Sequence, residues 1–369
     1  MVRKIFSYIK KPTLLLDEEK AKANIHWMSQ KSKRQSVRFR PHFKTHQSAT
    51  IAEWFREEGT KAITVSSVEM ARYFSDLGWK DILIAFPLNW REIEEINKVA
   101  KRVRLGVLVE SHETIAFAAQ KLDSPVDIWV KIDTGLHRTG ISVRDVKSVY
   151  ALMQDVKEHK NLELAGVLTH AGHTYHASSP EEVIQLYQHS VNEMNMLRQE
   201  LQDRGITNLK LSVGDTPGCR LSPNLGEVDE IRPGNFVFYD AMQWKLGVCD
   251  VQEIAVTVAC PVVAKHKERS EIVIYGGAVH LSKEMLFINW QAIYGYLCLP
   301  ENNGWSLPLE RCFVSSLTQE HGVVKVTASV FAQIHVGDLV CILPVHSCLT
   351  VNALNSYISL DGKEIEKRL

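Results

Sequence analysis

From residue 13 to residue 238 the chain alternates short apolar runs with amphipathic stretches of helical period. Thr13-Leu14-Leu15-Leu16 opens the series, and a helical stretch follows to about residue 33. Residues 48–58 read as a helix with Ile51, Ala52 and Phe55 on one face. Ala62-Ile63-Thr64-Val65 is strand-like, and Ser67 is placed to cap the next helix, with Glu69 in its first turn. The pattern then repeats. Apolar runs at 81–87, 104–109, 126–132, 162–168, 209–213 and 230–238 are separated by helical stretches. Strands alternating with helices predict βαβ units and a parallel sheet. Eight or nine such strands in about 230 residues predict one (β/α)8 barrel. A doubly wound sheet has the same alternation, but no GxGxxG follows the first strand, which argues against a dinucleotide fold.

After about residue 245 the texture changes. Runs at 254–260, 262–266, 272–275, 312–317, 323–329 and 338–343 are β-rich, with Gly322, Gly337 and Asp338 as turn punctuation. The predicted fold class is therefore α/β, an N-terminal (β/α)8 barrel plus a C-terminal all-β domain. Its expected spans are residues 12–244 for the barrel and residues 1–11 with 245–369 for the β domain.

One stretch departs from ordinary strand chemistry. Between Val37 and His46 alternate residues are apolar, while Arg38, Arg40, His42, Lys44 and His46 are all basic. A solvated strand face shows the same alternation, although its polar side is usually mixed in sign. A lysine among cations has a lowered pKa, and its uncharged amine is a nucleophile toward carbonyls. The same face would attract an anion.

Composition narrows the class. The chain has 369 residues and a formal net charge of zero, which argues against a general nucleic-acid or membrane-surface binder. No apolar run approaches the roughly 18 residues of a membrane-spanning helix. The first residues lack the apolar core of a signal peptide. Seven cysteines lie at 219, 249, 260, 298, 312, 341 and 348, without CxxC spacing. An odd, scattered set fits a reduced, cytoplasmic compartment.

In a barrel of this type, reactive groups sit where strands end. Those ends hold Lys44, Ser66, Glu110, Asp133, His170, Asp215 and Arg232. Residues 131–140 end in a glycine turn, and Asp133 and Thr134 either reach a ligand or satisfy loop amides. Three histidines stand at 170, 173 and 176, in a spacing that matches no standard zinc pattern and suits substrate contacts or structural roles alike. Gly214-Asp215-Thr216-Pro217 and Arg232-Pro233-Gly234-Asn235 offer hydroxyls, amides and close backbone approach on the last strands, where barrels often bind phosphate. In the β domain, His346 and Cys348 are two apart and would share a face of a strand. Imidazole plus thiolate suits Zn²⁺, and a buried cysteine beside a hydrogen-bonded histidine is the plainer alternative.

These segments, in this order, resemble fold-type III pyridoxal phosphate enzymes, the family of alanine racemase, D-threonine aldolase and the eukaryotic-type D-serine dehydratase. The resemblance runs over nearly the whole chain. It implies that Lys44 carries pyridoxal 5'-phosphate as a Schiff base. It implies that Arg138 lies near the phenolic oxygen of the cofactor and Arg232 faces its pyridine nitrogen. Tyr175 matches a cofactor-binding tyrosine of the dehydratases, and Thr216, Gly234 and Asn235 match phosphate-binding positions. His346 and Cys348 match the metal pair of the branch that uses zinc, where aldolases resemble His-x-Asp with Mn²⁺ or another divalent metal. The family resemblance also implies a homodimer with active sites near the subunit interface.

The function so implied is a zinc-dependent D-serine dehydratase acting on a small D-amino acid. The alternatives are an aldolase cleaving D-threonine or a related β-hydroxy-D-amino acid, an amino-acid racemase, and a non-catalytic pyridoxal phosphate carrier. The catalytic tyrosine segment of the racemases has no match here, and a carrier needs neither the β domain nor the metal pair.

Overall fold

The computed structural model describes residues 4–368. The chain forms two compact units. One comprises His26–Lys44 and Ala52–Gly234, the other the described residues of Met1–Ile25, Thr45–Ile51 and Asn235–Leu369.

The first unit is a parallel barrel. Its strands run in the spatial order Arg38–Phe39, Glu230–Ile231, Lys210–Val213, Leu162–Leu168, Val126–Asp133, Arg104–Val109, Asp81–Pro87 and Ile63–Val65. A parallel bridge between His42 and Thr64 joins the two ends of this path. Phe43 donates to the Thr64 carbonyl at 2.8 Å and Thr64 donates to the Pro41 carbonyl at 2.9 Å. The intervening helices start at side-chain caps. Ser67 accepts from the amide of Met70, Ser111 from that of Thr114 and Ser179 from that of Glu182, each satisfying a donor that the helix cannot.

The strands are buried on both faces, as continuous apolar runs such as Ile82-Leu83-Ile84 require. Leu83, Leu108, Trp129, Ala165 and Leu168 pack as one interior cluster. Trp129 is accommodated because two neighbours have no side chain. A Cβ at Gly106 would stand 3.2 Å from its indole nitrogen, and one at Gly166 would stand 3.0 Å from the ring.

The alternating stretch 37–46 is not one strand. Pairing stops at Phe39 apart from the His42 bridge, and Phe43–His46 form a turn. The expected polar face is broken accordingly. Arg40 and His46 are buried while Lys44 is exposed. Arg40 is drawn inside by carboxylates, with Glu230 at 2.8 Å and Asp81 at 2.7 Å.

The second unit is a β domain with short helices. Nine strands pair in the order Glu271–Tyr275, His321–Lys325, Phe313–Leu317, Gly295–Cys298, Leu339–Pro344, Val256–His266, Thr13–Leu16, Ser356–Ser359 and Glu364–Glu366. Glu271–Tyr275 also pairs with Val256–His266, so six of the strands close on themselves. The run Thr13–Leu16, which lies in the span 12–244 expected to build the barrel, pairs antiparallel with Val256–His266 and parallel with Ser356–Ser359. A four-residue apolar run is compatible with either sheet, and its partners lie more than 200 residues away. Residues 1–3 and 369 of the expected β-domain spans lie outside the described residues.

All seven cysteines are free thiols, six buried and Cys348 partly so. Among the described residues no helix is long and apolar enough to cross a membrane.

Candidate active site

Within the barrel unit, the residues that follow or end the strands carry the polar chemistry. Lys44 stands in the turn after the Arg38–Phe39 strand, exposed, with its amide donating to Nδ1 of His42 at 3.4 Å. The turn is anchored by Phe43. Its ring packs on Phe55, Phe74 and Trp79 at centroid distances of 5.0, 5.0 and 5.1 Å. The Lys44 side chain is thus exposed on a turn whose backbone is fixed by a buried aromatic anchor.

Arg232 sits at the end of the Glu230–Ile231 strand and is buried. Its Nε donates to Oγ of Ser212 at 2.7 Å, and Nη2 donates to the Thr169 carbonyl. Burial lowers its pKa to about 10, against the pull of Glu230. Backbone packing sets this position. A Cβ at Gly214 would stand 2.7 Å from the Arg232 amide nitrogen, so the two loops meet backbone to backbone.

His170 is held by its Nδ1, 2.5 Å from the Gly214 carbonyl. That contact makes Nδ1 the protonated nitrogen of a neutral ring. Burial, followed by the nearby charges of Arg232, Lys44 and Arg138, lowers its pKa to about 3. Those three predicted cations therefore share one electrostatic neighbourhood. Lys131 belongs to it as well. It is buried, donates to the Ile132 carbonyl at 2.8 Å, and is brought down to about 7 by burial and then by Arg232. Sequence reasoning passed over Lys131, although a lysine inside the apolar strand Val126–Asp133 is itself a signal.

Tyr175 and Thr216 are brought together. The tyrosine hydroxyl accepts from the Thr216 amide at 3.2 Å, and its ring lies 6.4 Å from that of His170. Asp215 caps the short helix Thr216–Leu221, accepting from the Gly218 amide and from Thr174 Oγ1 at 2.9 Å. Burial pushes its pKa up to about 7. Asp133 serves its own loop, accepting from the amides of Gly135 and His137 at 3.0 and 3.1 Å. Arg138 is exposed in that loop, and Gly234 is half-buried where the barrel unit ends. An accessible amine, a buried arginine held by neutral oxygens and a hydroxyl-bearing turn fit a ligand with an aldehyde, an aromatic nitrogen and a phosphate.

Within the other unit, His346 and Cys348 are not on a strand. The strand Leu339–Pro344 ends first, His346 is the N-cap residue of the helix Ser347–Ala353, and Cys348 lies in its first turn. Cys348 Sγ is 3.3 Å from Thr45 Oγ1 and 3.7 Å from Nδ2 of Asn235. Nδ1 of His346 lies 3.3 Å from Oδ2 of Asp240, an ion-pair contact that is not aligned as a hydrogen bond. Burial opposes charge on this imidazole, but the Asp240 carboxylate and the Cys348 sulfur raise its pKa to about 9. Asp240 is fully buried. Its Oδ2 accepts from Asn235 Nδ2 at 2.7 Å and from the Ser347 amide at 2.9 Å. The Asn235 side-chain nitrogen is thus committed to Asp240, while its Oδ1 is buried without a hydrogen bond among the described residues.

Among the described residues no group of three or more His, Cys, Asp and Glu side chains converges as a metal site. The chain offers two donors, one fewer than the three of common catalytic zinc sites. Imidazole and thiol are nonetheless zinc-type donors, and a carboxylate behind the histidine is the usual companion of a metal-binding imidazole. The pair fits a metal whose other positions are taken by oxygen from water or substrate.

Comparison with known proteins places this geometry. The family "Alanine racemase, N-terminal domain" matches residues 16–241, and the D-serine dehydratase domain matches residues 255–360. The chain is 27% identical to D-threo-3-hydroxyaspartate dehydratase of Delftia sp. (strain HT23), over 95% of this chain and 93% of that protein. It is 26% identical to D-serine dehydratase of Dictyostelium discoideum, over 94% and 92%. The solved structure of the Delftia dehydratase superposes with a TM-score of 0.91 at 25% identity, covering 99% of both chains. The chain therefore belongs to the alanine racemase N-terminal domain family, as a pyridoxal phosphate-dependent lyase of fold type III with a D-serine dehydratase domain following the barrel.

Proposed function

We propose that this protein is a zinc-dependent D-serine dehydratase that converts a small β-hydroxy-D-amino acid to a 2-oxo acid and ammonia. Two relatives that match along nearly their full length are named dehydratases, which supports elimination over aldol cleavage. The observation that carries the reading is the His346–Cys348 pair at one helix N-terminus, with Asp240 behind the imidazole.

When bound, pyridoxal phosphate supplies an electron sink for the α-carbon, and zinc supplies a Lewis acid toward the β-hydroxyl. The chain supplies the rest. The Lys44 amine, exposed in the turn after its strand, removes the α-proton. Tyr175 and Thr216, together with the backbone at Gly234, would hold the phosphate. Arg232 would face the pyridine nitrogen and, as a cation, keep it unprotonated, and Arg138 would lie toward the phenolic oxygen. His346 and Cys348 would hold the metal. A pyridine nitrogen without a proton is a weaker electron sink, so departure of the hydroxyl would depend more on the metal pair. Loss of water across Cα–Cβ leaves 2-aminoacrylate, which takes up water to give pyruvate and ammonia. The protein works in this reading as a cytoplasmic homodimer with no nucleic-acid or membrane partner.

Product identity tests it. Purified protein loaded with pyridoxal phosphate is given D-serine, D-threonine and D-threo-3-hydroxyaspartate in turn. A 2-oxo acid with an equivalent of ammonia is the expected result. Glycine with acetaldehyde from D-threonine would make the protein an aldolase instead.

A further inference from the structure

Asp240 lies outside every motif of the sequence and touches no reacting atom, yet it is the hub of the β-domain network. It is fully buried, and its two oxygens do different work. Oδ1 accepts from the Gln243 amide at 3.0 Å and caps the helix Ala241–Lys245. Oδ2 receives the Asn235 side chain at 2.7 Å, the Ser347 amide at 2.9 Å and the Ser347 hydroxyl at 3.3 Å, and it faces Nδ1 of His346 at 3.3 Å. A cap needs one oxygen. The second oxygen is directed at the turn that presents His346 and Cys348. The Met242 amide adds a backbone bond at 3.2 Å to the Val345 carbonyl, tying the two segments on either side of that contact.

We infer that Asp240 is a positioning residue for the metal pair. It holds His346 by the Nδ1 edge, so that Nε2 is the nitrogen presented to zinc, and it fixes the Ser347 amide so that Cys348 stays within reach of the same ion. A carboxylate on the far nitrogen of a metal-binding histidine sets the tautomer and raises the basicity of the ligating nitrogen.

This inference rests on the reading of His346 and Cys348 as metal ligands, and the test separates the two. Zinc and Co²⁺ are titrated into the metal-free, pyridoxal phosphate-loaded full-length protein. Binding is followed by metal content and by the cobalt–thiolate charge-transfer absorbance. Asp240→Asn keeps the shape of the side chain and the helix cap but removes the charge and the acceptor at Oδ2. It is expected to weaken metal affinity about 10–100-fold, the usual cost of losing such a partner, while the saturated cobalt spectrum still shows thiolate ligation. Unchanged affinity in Asp240→Asn, with Cys348→Ala losing the metal, would overturn the role of Asp240 and leave the metal pair standing. Wild-type protein that binds neither metal would remove the pair itself. If Asp240→Asn does not fold, imidazole ¹⁵N shifts of the zinc-loaded wild type decide. A proton on Nδ1 of His346 is expected, and a metal on Nδ1 would overturn the inference.

Discussion

Arg40 and Glu230 form an ion pair at 2.8 Å inside the barrel, with 3% and 2% of their side-chain surfaces exposed. The pair is a link in a longer chain. Ser212 Oγ accepts from Arg232 and donates to the other oxygen of Glu230 at 2.8 Å, and Arg40 passes on to Asp81 at 2.7 Å. The arginine expected at the pyridine nitrogen is thus braced from behind by a buried carboxylate through a hydroxyl. Glu230→Gln leaves Arg40 buried beside a neutral group. Removing one partner of a buried pair costs about 3–5 kcal/mol. Chemical denaturation should show that loss, and Arg40→Met added to Glu230→Gln should recover part of it. A loss below about 1 kcal/mol in the single variant would mean that the pair is solvated.

Acid should destabilise the protein through two histidines. Burial holds His46 and His170 at about 3, against an ordinary value of 6.5. The folded state excludes a proton that the unfolded chain takes up, so these groups cost nothing above pH 6.5. Below it, stability falls as pH falls, by about 1.4 kcal/mol per unit for each group, until the folded histidines themselves titrate near pH 3. Two such groups would remove about 3 kcal/mol by about pH 5.5. Asp215, raised to about 7 by burial, works in the opposite direction over the same range, and His46→Gln should lower the slope of unfolding free energy against pH by about 1.4 kcal/mol per unit. An unaltered slope would take His46 out of this balance.

Lys44→Ala should abolish the visible absorbance of lysine-bound cofactor and all turnover, with the fold unchanged by circular dichroism. Persistence of that absorbance would point to another amine, and Lys131, lowered to about 7 by burial, is the one to test next.

The Cys348 thiolate should set metal choice at the pair. Cys348→Asp replaces a soft thiolate, which suits zinc, by a carboxylate, which suits Mn²⁺. Metal content after equilibration with equal zinc and manganese should shift toward manganese relative to the wild type. An unshifted ratio would show that Cys348 is not a ligand.

Much of this was legible in the sequence, for reasons that particular residues make plain. The barrel follows from local signals. Ser67 caps the helix as its position demands, and the apolar run 126–132 is a strand because nothing nearby offers it another state. Glu110 and Arg232 fall at strand ends because strand ends can be counted, whereas Lys44 lies in a turn beyond the end of its strand at Phe39. What sequence could not show depends on distant partners. Arg40 reads as part of an exposed basic face until Glu230, 190 residues on, takes it inside. Thr13–Leu16 reads as a barrel strand until Val256–His266 pairs with it. The spacing of His346 and Cys348 suits one face of a strand, but the chain turns into a helix between them. Asp240 carries only the local signature of a helix cap. Its second oxygen acquires meaning when Ser347 and His346, more than 100 residues later, are set against it.

The central claim is metal-dependent elimination at His346 and Cys348, and one assay addresses it most directly. Pyruvate and ammonia formation from D-serine is measured for the pyridoxal phosphate-loaded protein as purified, after chelation, and after zinc is returned. The account predicts activity that chelation removes and zinc restores, and a Cys348→Ala protein that zinc does not restore. Full pyruvate formation by the chelated protein, or by Cys348→Ala, would contradict it.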